Sequence, residues 1–307
     1  MRAMISPGSI WIPITFGAAA AQTLRNAAQR HLTAELGTLG ATLVRFLYGL
    51  PFAAAWLAIV ALVGGYALPE PNLPFAGWVV FGSVSQITAT ALLLQVMKER
   101  NFTLGVAYSK SEIVQVALFG FLFLGDRISM GTAIAIALGT IGVLLLAPAD
   151  KERPLRALLV GWTTRSALLG IASGTAFAFS AVGYRGAALA LHSPFAMAAA
   201  FSLLVAQTIQ TLLLGGWLIA WHPGVVTRVL RAWRTSLFAG LMGATASAGW
   251  LTAMAIEPVA HVRTLGLTEL LFSYIVSRRV FRERLTRLEL TGVGVLTLGL
   301  VLITLAH

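Results

Sequence analysis

Ala107-Tyr108-Ser109-Lys110-Ser111-Glu112-Ile113-Val114-Gln115 sets a lysine and a glutamate inside Phe102 to Leu124, a run that is otherwise almost wholly apolar. A charge held at the centre of a membrane-spanning helix costs about 2.5–3.5 kcal/mol on insertion scales, so such residues face a bundle interior or a watery cavity. The second half of the chain carries a counterpart, Arg263-Thr264-Leu265-Gly266-Leu267-Thr268-Glu269, again a carboxylate within an apolar run. The composition around both stretches belongs to a membrane protein: of 307 residues, 58% are hydrophobic and 11% charged, far from the usage of soluble domains. The net charge of +11 is carried by basic residues in short loops beside apolar runs. That is the signature of cytoplasmic loops rather than of nucleic-acid binding. The absence of cysteine removes disulfides, thiolate metal sites and cysteine nucleophiles.

Ten spans are predicted, at the length of about 20 residues that a bilayer demands. They run Ile10 to Gln29, Leu36 to Leu62, Phe75 to Met97, Phe102 to Leu124, Met130 to Ala147, Ala167 to Leu191, Phe195 to Trp221, Ser236 to Ile256, Val262 to Val280 and Leu288 to Ala306. Breakers support the cuts: Pro69, Pro71 and Pro74 in one connection, Pro194 before the seventh span, and Pro223 with Gly224 after it. A polar, proline-flanked linker lies near the middle, dividing residues 8–149 from 165–306 across 150–164. The halves repeat. Asp126 follows Glu112 by fourteen residues as Glu283 follows Glu269, and Gly142 and Gly299 keep a common offset. Five spans per half is an odd number, so the halves must enter the membrane in opposite directions. The expectation is an all-α polytopic protein, ten transmembrane helices as two inverted five-helix repeats around a central cavity.

Helical spacing groups the polar residues within these spans. Tyr108, Ser111, Glu112 and Gln115 fall on one face, with Lys110 off it. Gln22, Arg25, Asn26 and Gln29 share a face of the first span; Ser83, Gln86 and Thr90 of the third; Ser173, Phe177, Ser180 and Tyr184 of the sixth. The cavity-lining set is therefore Gln22, Asn26, Tyr48, Gln86, Thr90, Tyr108, Ser111, Glu112, Ser180, Tyr184, Trp250 and Glu269, with Arg25, Arg45, Lys110 and Arg263 as charge partners. Arg45 is expected to pair with Glu112 or Glu269. Arg25 and Arg263 sit near span ends, where snorkelling to the surface is the competing role. Gln207 and Gln210 are expected chiefly to make interhelical hydrogen bonds, and Ala135, Gly139, Gly142, Gly292 and Gly299 to let spans five and ten pack closely, with a homodimer contact as a second use.

The five-plus-five organisation, with Phe123-Leu124-Gly125-Asp126-Arg127 and Phe281-Arg282-Glu283-Arg284-Leu285 in matching turns, resembles the drug/metabolite transporter superfamily in its ten-span form of two EamA-type repeats. That resemblance implies export of amino acids and other small metabolites, or exchange of sugar phosphates and nucleotide-sugars; aromatic amino-acid exporters look nearest. It also implies cytoplasmic termini. The charge tally places Lys98, Arg100, Lys151 to Arg165, Arg228 to Arg234 and Arg278 to Arg287 on one side, and by itself puts the termini outside. The function expected is a multi-pass secondary transporter of the inner membrane exporting small polar metabolites, amino acids first, by alternating access, with protons as coupling ion. The alternative is a multidrug exporter of lipophilic cations driven by proton exchange. No enzyme is expected: HExxH is absent, and Thr245-Ala246-Ser247-Ala248-Gly249 starts wrongly for a nucleophile elbow. No cofactor is expected, and the five dispersed histidines give no metal site.

Overall fold

The computed structural model describes residues 9–99, 109–146, 165–272, 275 and 287–305, and every regular element among them is a helix. In chain order the α-helices include α1 (Trp11–Leu47), α2 (Leu50–Gly64), α3 (Leu73–Glu99), α4 (Glu112–Phe119), which a π-helical segment (Gly120–Leu124) continues, α5 (Met130–Leu146), α6 (Arg165–Ala190), α7 (Phe195–Trp221), α8 (Pro223–Arg231), α9 (Trp233–Ile256), α10 (Val259–Leu265) and α11 (Arg287–Leu305). The polar linker, Tyr108 and the Arg282-Glu283-Arg284 turn lie outside the described residues.

Helix α1 is two helices in one. At Gly37 the backbone takes φ 72° and ψ 175°, a conformation open to glycine and costly for any residue with a Cβ. The reversal is visible in a hydrogen bond: Gln29 Nε2 donates to the carbonyl of Ala41 at 2.8 Å, although twelve residues of straight helix would part them by about 18 Å. Residues 11–36 and 38–64 therefore lie side by side. Prolines sit where their missing N–H costs nothing, at the starts of α2 and α8. Pro223 was expected to mark a loop; it opens a short helix instead, whose basic residues Arg228 and Arg231 alternate with the buried Val229.

Five helical runs are long and apolar enough to cross a membrane, the first being the folded pair over residues 11–64; shorter apolar helices cover Glu112–Leu124, Met130–Gly142 and Gly294–Ile303. Leu62, Val63 and Leu73 are 83%, 85% and 87% exposed, as side chains against lipid are. The chain is an all-helical, multi-pass membrane protein.

The most extensive packing joins α1 to α9, α3 to α6, and α5 to α11. Exchanging the two halves maps the first contact onto the second and the third onto itself, as a two-fold axis between repeats requires. Lipid gives helices no hydrophobic reason to associate, so close approach of small residues carries this packing. A Cβ on Gly299 would fall 2.9 Å from the Gly139 nitrogen, and one on Gly142 2.6 Å from that of Leu296.

The two duplicated acids sit at breaks. Lys110 and Ser111 form a turn, and regular helix begins at Glu112; Gly266 and Leu267 form a turn just before Glu269. Tight i→i−3 bonds mark both: Ile113 N donates to Lys110 O, Leu267 N to Thr264 O, and Glu269 N to Gly266 O. The ninth span is thus interrupted where an unbroken helix was expected, and so is the described part of the fourth. Gly174 on α6 makes room for the first break, since a Cβ there would meet Ser111 Oγ at 2.7 Å and the Ser109 carbonyl at 2.8 Å. Discontinuous helices at corresponding positions of two halves are where transporters of this architecture bind their ligands and ions.

Candidate functional site

The breaks bring their charged residues together in the interior. Glu269 is 1% exposed and accepts three hydrogen bonds: from Gln22 Nε2 at 2.7 Å, from Asn26 Nδ2 at 2.7 Å, and from Lys110 Nζ at 2.5 Å. Arg25 Nη2 donates to Asn26 Oδ1 at 2.7 Å. Glu112 is held more loosely, with Lys110 Nζ at 3.9 Å and Arg263 Nη1 at 3.8 Å. Lys110 thus stands between one acid from each half. It lies off the Glu112 face, as the helical count has it, and the turn at residues 110–111 carries it onto Glu269, which the count alone does not give.

Beside this cluster lies a pocket, with Gln22, Arg45, Gln86, Tyr184, Trp250 and Arg263 among its walls. Arg45, 5% exposed, donates from Nη1 to Thr90 Oγ1 at 2.9 Å and more distantly to Ser247 Oγ. Turning the Gln86 amide so that its oxygen faces Arg45, at 2.8 and 3.1 Å, leaves its nitrogen donating to Ser180 Oγ at 2.5 Å; the network fixes that orientation. Gln210 Nε2 donates to the Tyr184 hydroxyl at 2.7 Å, and Trp250 Nε1 to Gln22 Oε1 at 2.8 Å. The Arg263 guanidinium lies 4.8 Å from the centre of the Trp250 ring, and that of Arg45 lies 5.5 Å from the Phe46 ring, both within cation–π range.

Three expectations change. Arg45 pairs with neither acid; its donors go to Thr90, Ser247 and Gln86, because Lys110, Gln22 and Asn26 already fill Glu269. Arg25 and Arg263 do not snorkel: they are 1% and 7% exposed, with Arg263 turned inward over Trp250. Tyr48 sends its hydroxyl to the Val229 carbonyl at 3.1 Å, fastening α8 to the end of α1, and it is not among the pocket-lining residues. Ser111 rests against Gly174 and accepts a long bond from Gln115. Gln207, Gln210, Phe46 and Ser247 are not assigned to the cavity from sequence, and all line the pocket, as does Phe177 from the face it shares with Tyr184. The signal for the two glutamines was present, two amides at i and i+3 in an otherwise apolar span; Ser247, small and set among alanines, gave none.

A second buried cluster sits at the far end of α9 from α8. Arg185 Nη1 donates to the carbonyls of Met254 and Glu257 at 2.6 and 2.7 Å, and Nη2 to Asp126 Oδ1 at 3.2 Å. His261 pairs with the Glu257 carboxylate through Nδ1 and with Thr132 Oγ1 at 2.7 Å through Nε2. These contacts tie α5, α6 and the α9–α10 corner together.

The duplication has its counterpart in a known family. The model of the EamA-like transporter family fits the chain twice, over residues 9–147 and 164–305. The chain belongs to the EamA-like transporter family. This is a family of transporters, not enzymes, so a small-molecule substrate and the lipid bilayer are its partners. One solved crystal structure, titled only as the crystal structure of a protein, shares the fold with a TM-score of 0.70 over 97% of each chain at 16% identity. No curated protein matches the chain.

Proposed function

We propose that this EamA-like transporter exports a small metabolite bearing a carboxylate, amino acids included, across the inner membrane by alternating access of two inverted five-helix repeats. The observation that carries the reading is the pocket's charged lining: among the described residues it consists of Arg45 and Arg263. A guanidinium offers a planar fork of donors matched to a carboxylate, while Phe177, Tyr184 and Trp250 provide an apolar wall. The resemblance to aromatic amino-acid exporters of the YddG type points the same way. A pocket for lipophilic cations calls for the opposite charge. Purified and reconstituted into proteoliposomes, the chain is expected to take up amino acids or related carboxylates and to ignore cationic drugs. Uptake confined to cationic drugs and indifferent to carboxylates overturns the reading.

The coupling proton belongs on Glu112 in this proposal. Among the described residues Glu269 accepts three short hydrogen bonds, whereas Glu112 faces Lys110 and Arg263 beyond hydrogen-bond distance. Among the described residues the charged groups around it are Lys110 beside the break and Arg263 of α10, with Glu269 and Arg25 beyond Lys110; α6 turns the uncharged Gly174 toward it. Glu112→Gln is expected to abolish accumulation driven by a pH gradient, by at least about tenfold, and to spare substrate exchange across liposomes at equal pH, since a fixed neutral side chain cannot cycle a proton. Unchanged gradient-driven accumulation places the coupling elsewhere.

A further inference from the structure

Among the described residues, the centre around the two breaks carries more positive than negative charge: Arg25, Arg45, Lys110 and Arg263 are all at most 7% exposed, against the equally buried Glu112 and Glu269, the third buried carboxylate, Glu257, lying in the separate cluster with His261. Both acids stand behind the pocket wall rather than in it. The two acids and two of the pocket's aromatic rings, which could receive a substrate ammonium, are taken up from within the chain. Glu269 is filled by Lys110, Gln22 and Asn26, and Glu112 faces Lys110 and Arg263. The rings of Trp250 and Phe46 already carry Arg263 and Arg45, so those aromatic faces have their cations.

Anion recognition, by contrast, is left open. The Nε atoms of both Arg45 and Arg263 are buried without a hydrogen-bond acceptor among the described residues. An unpaired buried donor on a charged group is costly, so an acceptor brought within its reach as the guanidinium turns to a ligand recovers free energy. The carbonyl oxygen of Gln207 is also unpaired, one neutral acceptor against two charged donors. A bound carboxylate would supply one of the missing negative charges and the missing acceptors together; an ammonium would supply neither and would enter beside two guanidinium groups.

We propose that the pocket recognises its substrate as an anion, and that its ligands are aryl or alkyl carboxylates for which an α-ammonium group contributes nothing to binding. This rests on the pocket being the transport site. Three probes of one skeleton separate the possibilities: 3-phenylpropanoate, phenylalanine, which adds the ammonium, and phenethylamine, which keeps the ammonium and lacks the carboxylate. Binding to the detergent-purified full chain is read as ligand-induced thermal stabilisation. The expected order is 3-phenylpropanoate at least equal to phenylalanine, with phenethylamine at least about thirtyfold weaker, and stabilisation by 3-phenylpropanoate is expected to vanish in Arg263→Gln. Phenylalanine binding about tenfold or more tighter than 3-phenylpropanoate overturns this inference and leaves the transporter reading intact, because an ammonium is then recognised. Phenethylamine as the tightest ligand overturns both. Binding of none of the three at millimolar concentration, or 3-phenylpropanoate binding retained in Arg263→Gln, also overturns the inference, and the proteoliposome screen then judges the transporter reading alone.

Discussion

Arg45→Gln is expected to lower substrate affinity by at least about a hundredfold, or about 2.7 kcal/mol, while leaving the protein as stable as before or more so. The two halves of that outcome have one cause. Among the described residues Arg45 is held by neutral partners only, Thr90, Ser247 and Gln86, so its charge is buried without a counterion among them. Such a charge is a burden on the fold, and replacing it with a neutral group is neutral or stabilising. A structural arginine behaves in the opposite way: its removal lowers stability and leaves binding nearly untouched. Arg45→Lys separates charge from shape. A lysine keeps the charge and loses the planar fork, and it is expected to lose at least about tenfold in affinity. Gly243 matters to the same geometry, since a Cβ there would stand 3.3 Å from Arg45 Cγ and 3.4 Å from Arg25 Cδ. Thermal melting of the empty protein together with ligand titration reads both quantities. Full affinity in Arg45→Gln removes the residue from the site.

The membrane class, the repeat and the charged centre could all be read from residue order, because each leaves a mark there. Apolar run length marks a span, a recurrent offset marks duplication, and a carboxylate in an apolar run marks a polar interior. Three-dimensional choices among near neighbours leave no such mark. The helical count put Glu112 on a face with Ser111 and excluded Lys110, since it assumed a continuous helix; the turn at residues 110–111 swings Lys110 onto Glu269 instead. Arg25 and Arg263 lie near apparent span ends, where snorkelling is a sound expectation. The acid-bearing break in the ninth span and the fold at Gly37 turn both inward. Pro223 could be read as a terminator or as a first-turn residue, and the helix it opens is the one that buries Val229 near Gly40 and offers the Val229 carbonyl to Tyr48. The Arg185 cluster joins residues from Asp126 to His261, a pairing that exists only once α5, α6 and α10 meet.

Glu269→Gln is expected to be the most destabilising single change in the molecule, by about 3–5 kcal/mol, the usual consequence of leaving a buried charge without its partner. The size of the loss decides what the residue does. Hydrogen bonds between membrane helices average about 0.6 kcal/mol each. If the three donors of Gln22, Asn26 and Lys110 acted as ordinary hydrogen bonds, their combined loss would be about 2 kcal/mol by that average, less whatever the glutamine oxygen recovers. A larger loss identifies Lys110 as the reason Glu269 is there. The double variant Lys110→Gln with Glu269→Gln tests this directly, because it removes the stranded ammonium along with the carboxylate. Unfolding in detergent titrations is expected to show most of the stability restored, with a coupling of at least about 2 kcal/mol across the cycle. Additive losses would mean that the two side chains contribute independently, and that the cross-repeat pair does not hold the two broken helices together. Restoration would mean that it does: two breaks on different halves, each unstable alone in an apolar surround, are joined through one ammonium that reaches the acid of the opposite repeat at 2.5 Å and its own at 3.9 Å.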